Sequence, residues 1–235
     1  MAQIDAEHWW FAARRRIVAA LIERQVPLRP DARLLEVGAG TGSNLAMLKG
    51  FGRLDAIEPD AWARALASRR AGIRVSGGTL PDHVELDDRR YDLIVLLDVL
   101  EHIDDDVGSL SVLREKLADG GHIVLTVPAA PWLWSAHDVA HHHKRRYTAR
   151  TLRAVIHAGG FRIRHMSHFN TLLYPLIAAV RLAGRIAGKE GSDDGAIPPA
   201  PLNWMLEHVF AAERVWATRW PLPFGVSLLA VIEPD

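Results

Sequence analysis

A short apolar run that ends in a turn with glycine at every second position constrains this chain more than any other feature. The segment reads Leu34-Leu35-Glu36-Val37-Gly38-Ala39-Gly40-Thr41-Gly42. Glycine has no Cβ and tolerates positive φ, so three alternating glycines mark backbone that comes close to something. Behind them, Ser43 to Leu48 can start a helix whose first N–H groups point back at the same turn. A buried strand, a tight turn and a helix in that order read as the opening unit of a nucleotide-type cofactor site.

The rest of the chain repeats the theme. Strand-like runs are expected at Arg33–Val37, Arg53–Glu58, Gly72–Ser76, Tyr91–Leu97, Gly121–Val127, Phe161–His168 and Gly225–Ile232. Helical patterns fall between them at Asp60–Arg70, Asp106–Ala118 and Thr148–Ala158. This alternation predicts an α/β fold: a Rossmann-like, seven-stranded, mostly parallel sheet with helices on both faces. The near-continuous apolar runs suit strands buried on both sides. Two parts stand outside the alternation. Residues 5–24 predict a leading helix with Trp9, Trp10, Ile17, Ala20 and Leu21 on its apolar side, within a cap spanning 1–30. Residues 171–220 predict a helical insertion before the last strand, with helices near Leu172–Ala187 and Leu202–Arg219 joined by a loop at Lys189–Pro201. That loop carries Gly191, Gly195 and three prolines, which makes it the segment expected to move.

At 235 residues, one domain with an insertion is expected over residues 1–235 rather than two domains. Net charge is zero, so no overall basic field argues for nucleic acid. With no cysteine, disulfides, thiolate catalysis and Cys-based zinc sites are excluded. The first seven residues are polar and mildly acidic, which is unlike a signal peptide, and no apolar run reaches the roughly 18 residues needed to span a bilayer. A cytoplasmic location is the expectation.

A dinucleotide fingerprint, G-x-G-x-x-G, would put its last glycine where this chain has Ser43. The glycines follow G-x-G-x-G instead, with Glu36 two residues ahead. A carboxylate there suits a ligand with a cationic group and would repel a pyrophosphate. S-adenosylmethionine has such a group, an α-ammonium. A second acid, Glu58, ends the second strand, where it can accept both hydroxyls of a ribose.

With these residues in view, the chain resembles the class I S-adenosylmethionine-dependent methyltransferases. LLEVGAGTG is similar to their first motif, AIEPD to their second, and YDLIVLLDVLEHI to their fourth-strand motif; GGHIVLTVP and YTARTLRAVIHAGGF resemble the later strand and helix. The resemblance runs from about residue 33 to 170 and includes the last strand. It implies that Glu36 lies near the methionine end of the cofactor, that Gly38, Ala39, Gly40, Thr41 and Gly42 cradle it, and that Glu58 with Pro59 holds the ribose. Leu97, Asp98 and Val99 would line its floor. The family often has an Asp after the third strand for the adenine amino group. This chain reads Gly77-Gly78-Thr79-Leu80, so Thr79 or a backbone group is expected to take that contact.

Ligands of open α/β sheets bind beyond the carboxyl ends of the strands. Two segments there are rich in chemistry: Asp98-Val99-Leu100-Glu101-His102, and Trp132 to Tyr147 with its run of histidines. An oxygen or nitrogen acceptor must lose a proton to be methylated, and imidazole does that work near neutral pH. His137 and His102 are the catalytic candidates, with His142 behind them. Asp138 beside His137 is a candidate to orient it. Trp134, His137, His142 and Tyr147 are the candidate acceptor-binding residues. A divalent metal is a rival use of the same groups: Asp98, Glu101 and His102 share one face if helical, and His137 with Asp138 would complete a site. Glu101-His102 recurs among methyltransferases with no metal, so no metal is assigned.

At the start of the chain, His8-Trp9-Trp10-Phe11 precedes Arg14-Arg15-Arg16, and Arg14 is the candidate for the cofactor's carboxylate. The insertion reads as a lid over a partly apolar acceptor, a homodimer surface or an interfacial helix, in that order, with membrane contact not expected. Together these features predict methyl transfer to an oxygen or nitrogen of a small molecule. Its alternatives are a protein or lipid-linked acceptor, or a non-catalytic cofactor-binding sensor.

Overall fold

The computed structural model describes residues 4–84, 89–186 and 197–235. A short helix α1 (Ile4–Glu7) leads into α2 (Trp9–Gln25). The two expected as one helix are separated by His8, whose extended backbone (φ −69°, ψ 131°) and side chain, accepting from Trp10 N, make it the cap of α2. Then follow β1 (Arg33–Val37), α3 (Leu45–Leu48), β2 (Arg53–Ile57), α4 (Ala61–Ala71), β3 (Val75–Ser76) and a two-stranded hairpin of β4 (Gly78–Thr79) and β5 (His83–Val84). The chain continues through β6 (Tyr91–Leu97), α5 (Asp106–Glu115), β7 (Leu117–Pro128), α6 (Ala136–Ala140), α7 (Ala149–Ala158), β8 (Phe161–Phe169), α8 (Tyr174–Ile186), α9 (Ala200–Ala212), α10 (Arg214–Ala217) and β9 (Ser227–Pro234).

Seven strands form one sheet in the order β3-β2-β1-β6-β7-β9-β8. Pairing is parallel from β3 to β7, and β9 runs antiparallel between β7 and β8. Six strands therefore share a direction. α5 is shorter than expected, because Leu117 onward is drawn into the long β7.

Alternation along each strand divides the core in two. Ile94 and Leu96 of β6 and Leu35 and Val37 of β1 face α5 and α7, whose Leu110, Leu113, Leu152 and Ile156 complete that layer. Leu93, Val95 and Leu97 of β6 face the other way, against Ile17 and Leu21 of α2 and Phe210 of α9. By the same alternation Glu36, between Leu35 and Val37, falls on the α2 side. The insertion does not form one continuous second helix; it breaks into α9 and α10. α9 clasps α2 through Asn203, which accepts from Trp9 N at 2.9 Å and donates to Glu7 O at 2.9 Å, and through the Arg16–Glu207 ion pair at 3.0 Å. Most of the loop expected at 189–201 lies outside the described residues. Among the described residues no helix is long and apolar enough to cross a membrane.

Candidate active site

β1 and β6 are neighbours at the point where the strand order turns back on itself, so their carboxyl ends open a crevice. Its volume is about 750 Å³. Gly38 and Gly40 from the glycine turn, Glu58 and Pro59 after β2, Thr79 and Leu80 from the hairpin, and Asp98, Val99, His102 and Ile103 after β6 line it.

The three glycines have positive φ (74°, 53° and 84°) but different reasons to be glycine. A Cβ on Gly38 would sit 2.7 Å from Val99 Cγ2, and one on Gly42 2.9 Å from Ala67 Cα, so both are needed for packing. A Cβ on Gly40 would meet nothing within 4 Å. Gly40 thus leaves free space on the crevice side of the turn. Its N–H donates to Glu58 Oε2 at 2.7 Å, and Asp60 N donates to Glu58 Oε1 at 3.0 Å, which ties the turn to the end of β2. Thr41 points elsewhere: its hydroxyl donates to Asp5 Oδ2 at 2.5 Å, so α1 folds over the turn.

Glu36 is 1% exposed. Asn44 Nδ2 donates to its Oε1 at 2.8 Å, and its Oε2 has no hydrogen-bond partner. Burial pushes its pKa up to about 7, with Glu58 adding to the rise while Asn44 and Arg14 oppose it. Asn44 escaped the sequence reading. Its signal is a carboxamide in the first turn behind the glycines, eight residues after the acid it serves.

Arg14 was expected on a cofactor carboxylate. It is paired with Asp98, its guanidinium carbon 4.6 Å from the centre of the Trp10 ring, while its Nε is buried without a partner. Asp98 has φ 57° and is held by Thr126, whose hydroxyl donates to Asp98 Oδ1 at 3.1 Å. A non-glycine residue in the left-handed region is uncommon and is found disproportionately at functional sites.

Leu97, expected on the cofactor floor, packs with Leu93 and Val95 in the apolar layer under α2 and does not line the crevice. Tyr147, expected at the acceptor, is 2% exposed and donates to Asp106 Oδ2 at 2.7 Å; it is a core residue. His142 is exposed at the tip of a turn with φ 56°. Trp134 and His137 are half-buried and lie outside the crevice lining.

The imidazoles nevertheless gather. His102 lies 4.8 Å from His143 between ring centres, and His137 lies 4.3 Å from His141 and 6.2 Å from His143. Burial and then the neighbouring His143 lower the pKa of His102 below 6.5, against the pull of Asp98. Asp138 does not orient His137 as expected. It is 0% exposed, with Oδ1 2.9 Å from His143 Nδ1 and 2.7 Å from Arg146 Nε, and Oδ2 accepts from Ser135 N at 2.8 Å. Burial works against its charge, yet His143, Arg146 and Ser135 together hold its carboxyl well below the usual range. Glu101 is 0% exposed; burial and then Asp98 hold its carboxyl well above the usual range.

A family model described as a methyltransferase domain matches residues 10–166. No curated protein matches the chain. Among solved structures, a TehB-like SAM-dependent methyltransferase from Corynebacterium glutamicum is similar at 17% identity and TM-score 0.57, covering 93% of this chain and 88% of that one. A geranyl diphosphate C-methyltransferase from Streptomyces coelicolor A3(2), solved with Mg2+, geranyl diphosphate and S-adenosyl-L-homocysteine, is similar at 15% identity and TM-score 0.62, covering 92% and 78%. The cyclase SpnF is similar at 19% identity and TM-score 0.59, covering 94% and 81%. These likenesses are of fold. The chain belongs to the methyltransferase-domain family and is an S-adenosylmethionine-dependent methyltransferase of the class I architecture.

Proposed function

We propose that this chain methylates an oxygen or nitrogen of a small, partly apolar molecule. The observation that carries the reading is the crevice itself, lined by the open Gly40, by Glu58 and by His102, with the buried Glu36 on the strand that feeds the glycine turn. Those residues fit the cofactor. The buried, unpartnered Glu36 Oε2 and Arg14 Nε suit the ammonium and carboxylate of an amino-acid end. Glu58 retains lone pairs for ribose hydroxyls after accepting two backbone N–H groups. Thr79 and Pro59 flank the space for the adenine ring. Bound there, S-adenosylmethionine supplies an electrophilic sulfonium methyl.

The chain's own work is alignment and water exclusion. Val99 and Ile103 line the crevice between Asp98 and His102 and shape an apolar wall. His102 is the expected catalytic residue that lines the crevice, so the acceptor's reacting atom is proposed on its side. His137 lies outside that lining with His143 between it and His102, so it is proposed to take on the acceptor's proton by way of these imidazoles and not from the acceptor directly.

A lipid-linked acceptor is a second reading, supported by the exposed Leu176, Val180 and Leu182 along α8 and Leu172 just before it. Here the insertion is a lid that lies against the acceptor's apolar part. Isothermal titration with S-adenosylhomocysteine, then turnover over a panel of hydroxy and amino acceptors with and without acyl chains, separates the readings. A protein that binds the product cofactor but methylates none of the panel would leave the sensor reading standing and defeat the enzymatic one.

A further inference from the structure

We propose that Glu101, His102 and His143 bind a divalent transition-metal cation at the lip of the crevice, with Zn2+ the best match. One ligand atom from each of these side chains lies within 4.8 Å of the other two. No metal was assigned from the sequence, where the rival arrangement drew on Asp98, Glu101 and His102, with His137 and Asp138 to complete it. The fold changes the set. Asp98 is taken by Arg14, Asp138 stands one layer back, and His143 supplies the third donor.

Glu101 is the second, independent sign. It is 0% exposed and neither carboxylate oxygen has a hydrogen-bond partner. A buried carboxylate with no partner is costly in either protonation state, and such groups are paired or coordinate metals. Two arginines whose charge reaches it are paired elsewhere, Arg14 to Asp98 and Arg146 to Asp138. A cation beside Glu101 would satisfy it.

His143 is built as a ligand. Its Nδ1 faces Asp138, which leaves Nε2 as the free donor, and Asp138 is itself fixed by Arg146 and Ser135. A carboxylate behind a metal-ligating histidine sets its tautomer and orientation in just this way. The backbone brings the ring back to Glu101. His142 takes the left-handed turn, His143 N donates to Asp138 O at 2.9 Å, and Lys144 N donates to Glu101 O at 2.8 Å. Two imidazoles and one carboxylate are the donor set of catalytic zinc, which keeps an open position. Zinc bonds of about 2.0–2.1 Å put tetrahedral ligand atoms roughly 3.4 Å apart, so the triad closes by rotation of the exposed His102. Because His102 also lines the crevice, the open position faces the acceptor and fits a hydroxyl oxygen. That choice of acceptor rests on the methyltransferase reading; the cation site does not.

The test is calorimetric and spectroscopic. EDTA-treated protein is titrated with Zn2+, and with Co2+ while the visible spectrum is followed; S-adenosylhomocysteine is titrated into the same samples. One ion per chain is expected, with tetrahedral Co2+ bands. His102→Ala and His143→Ala should each weaken binding at least about tenfold, and Asp138→Asn about 10–100-fold. His208→Ala, on an exposed imidazole of α9, should change nothing. Retained S-adenosylhomocysteine binding reports that each variant is folded. No stoichiometric ion, or binding indifferent to both His102→Ala and His143→Ala, would overturn the site. An ion that binds where S-adenosylhomocysteine does not would leave the site standing and remove the methyltransferase reading.

Discussion

Asn44 Nδ2 donates to Glu36 Oε1 at 2.8 Å, and among the described residues it is the one hydrogen bond to a carboxylate that is 1% exposed. One bond does not replace the lost water, so the acid keeps its proton far above the usual range. Glu36 ionises at its ordinary value of 4.5 when unfolded and at about 7 when folded. Between those values the folded chain holds the extra proton. Its contribution to stability is therefore present below 4.5 and is lost as pH rises through about 7, by roughly 3 kcal/mol. Urea unfolding across this window should show the slope in the parent protein and not in Glu36→Gln. Equal slopes in both would refute the assignment.

Cofactor affinity should follow the same group with the opposite sign. If Glu36 receives an ammonium it must be ionised, so binding of S-adenosylhomocysteine should strengthen as pH rises toward about 7, by up to about tenfold per pH unit. Above that value it should level off. Titrations in buffers of different ionisation enthalpy should report a proton released on binding below pH 7, and Glu36→Gln should abolish it.

The glycine turn separates ligand space from packing space. Gly40→Ala and Gly42→Ala both put an L-residue at positive φ, at about 1–2 kcal/mol. Gly42→Ala also drives a methyl to 2.9 Å from Ala67 Cα, so its melting temperature should fall further. Gly40→Ala adds its methyl to open crevice and should cost at least about tenfold in S-adenosylhomocysteine affinity, about 1.4 kcal/mol. If Gly42→Ala were the poorer binder and the more stable protein, the division would be reversed.

Arg14 and Asp98 form an ion pair with side chains 5% and 19% exposed. Removing one partner leaves a largely buried charge alone, so Arg14→Met and Asp98→Asn should each destabilise by about 3–5 kcal/mol. The double variant should lose less than the sum. A double-mutant cycle by chemical denaturation measures the coupling, and additivity would show that the pair does not matter to the fold.

Tyr147 tests the corrected placement of an expected acceptor residue. Its hydroxyl serves Asp106 inside the core. Tyr147→Phe should cost about 1–2 kcal/mol of stability and leave the acceptor KM unchanged, because the ring stays and only the hydrogen bond goes. A raised KM at unchanged stability would restore Tyr147 to the acceptor.

β1 and β6 were legible to the residue, at Arg33–Val37 and Tyr91–Leu97, because strands buried on both faces are written as unbroken apolar runs. β3 was expected over five residues and has two, since an edge strand needs few apolar positions. The glycine turn was legible because its requirement is local: three positive φ angles within five residues. Gly38, Gly40, Glu58, Pro59, Thr79, Asp98, Val99 and His102, each singled out in the sequence, line the crevice. Their contacts with a cofactor remain the proposal tested above. Asn44 and His143 were missed because each acts through a partner that only folding brings near.

Sequence alone determined the α/β class, the strand positions and the kind of cofactor turn, since each depends on residues close together in the chain. Tertiary structure decided the pairings. Arg14 meets Asp98 across 84 residues because α2 packs on one face of β6 and Asp98, just past that strand, leaves the β conformation at φ 57°. Asp138 turns to His143 and not to adjacent His137 because consecutive helical residues diverge by about 100° around the axis, while the turn at His142 brings His143 back. Periodicity is written along the chain. Which donors share a cavity depends on how helices and turns pack, and that geometry exists only once the sheet has formed.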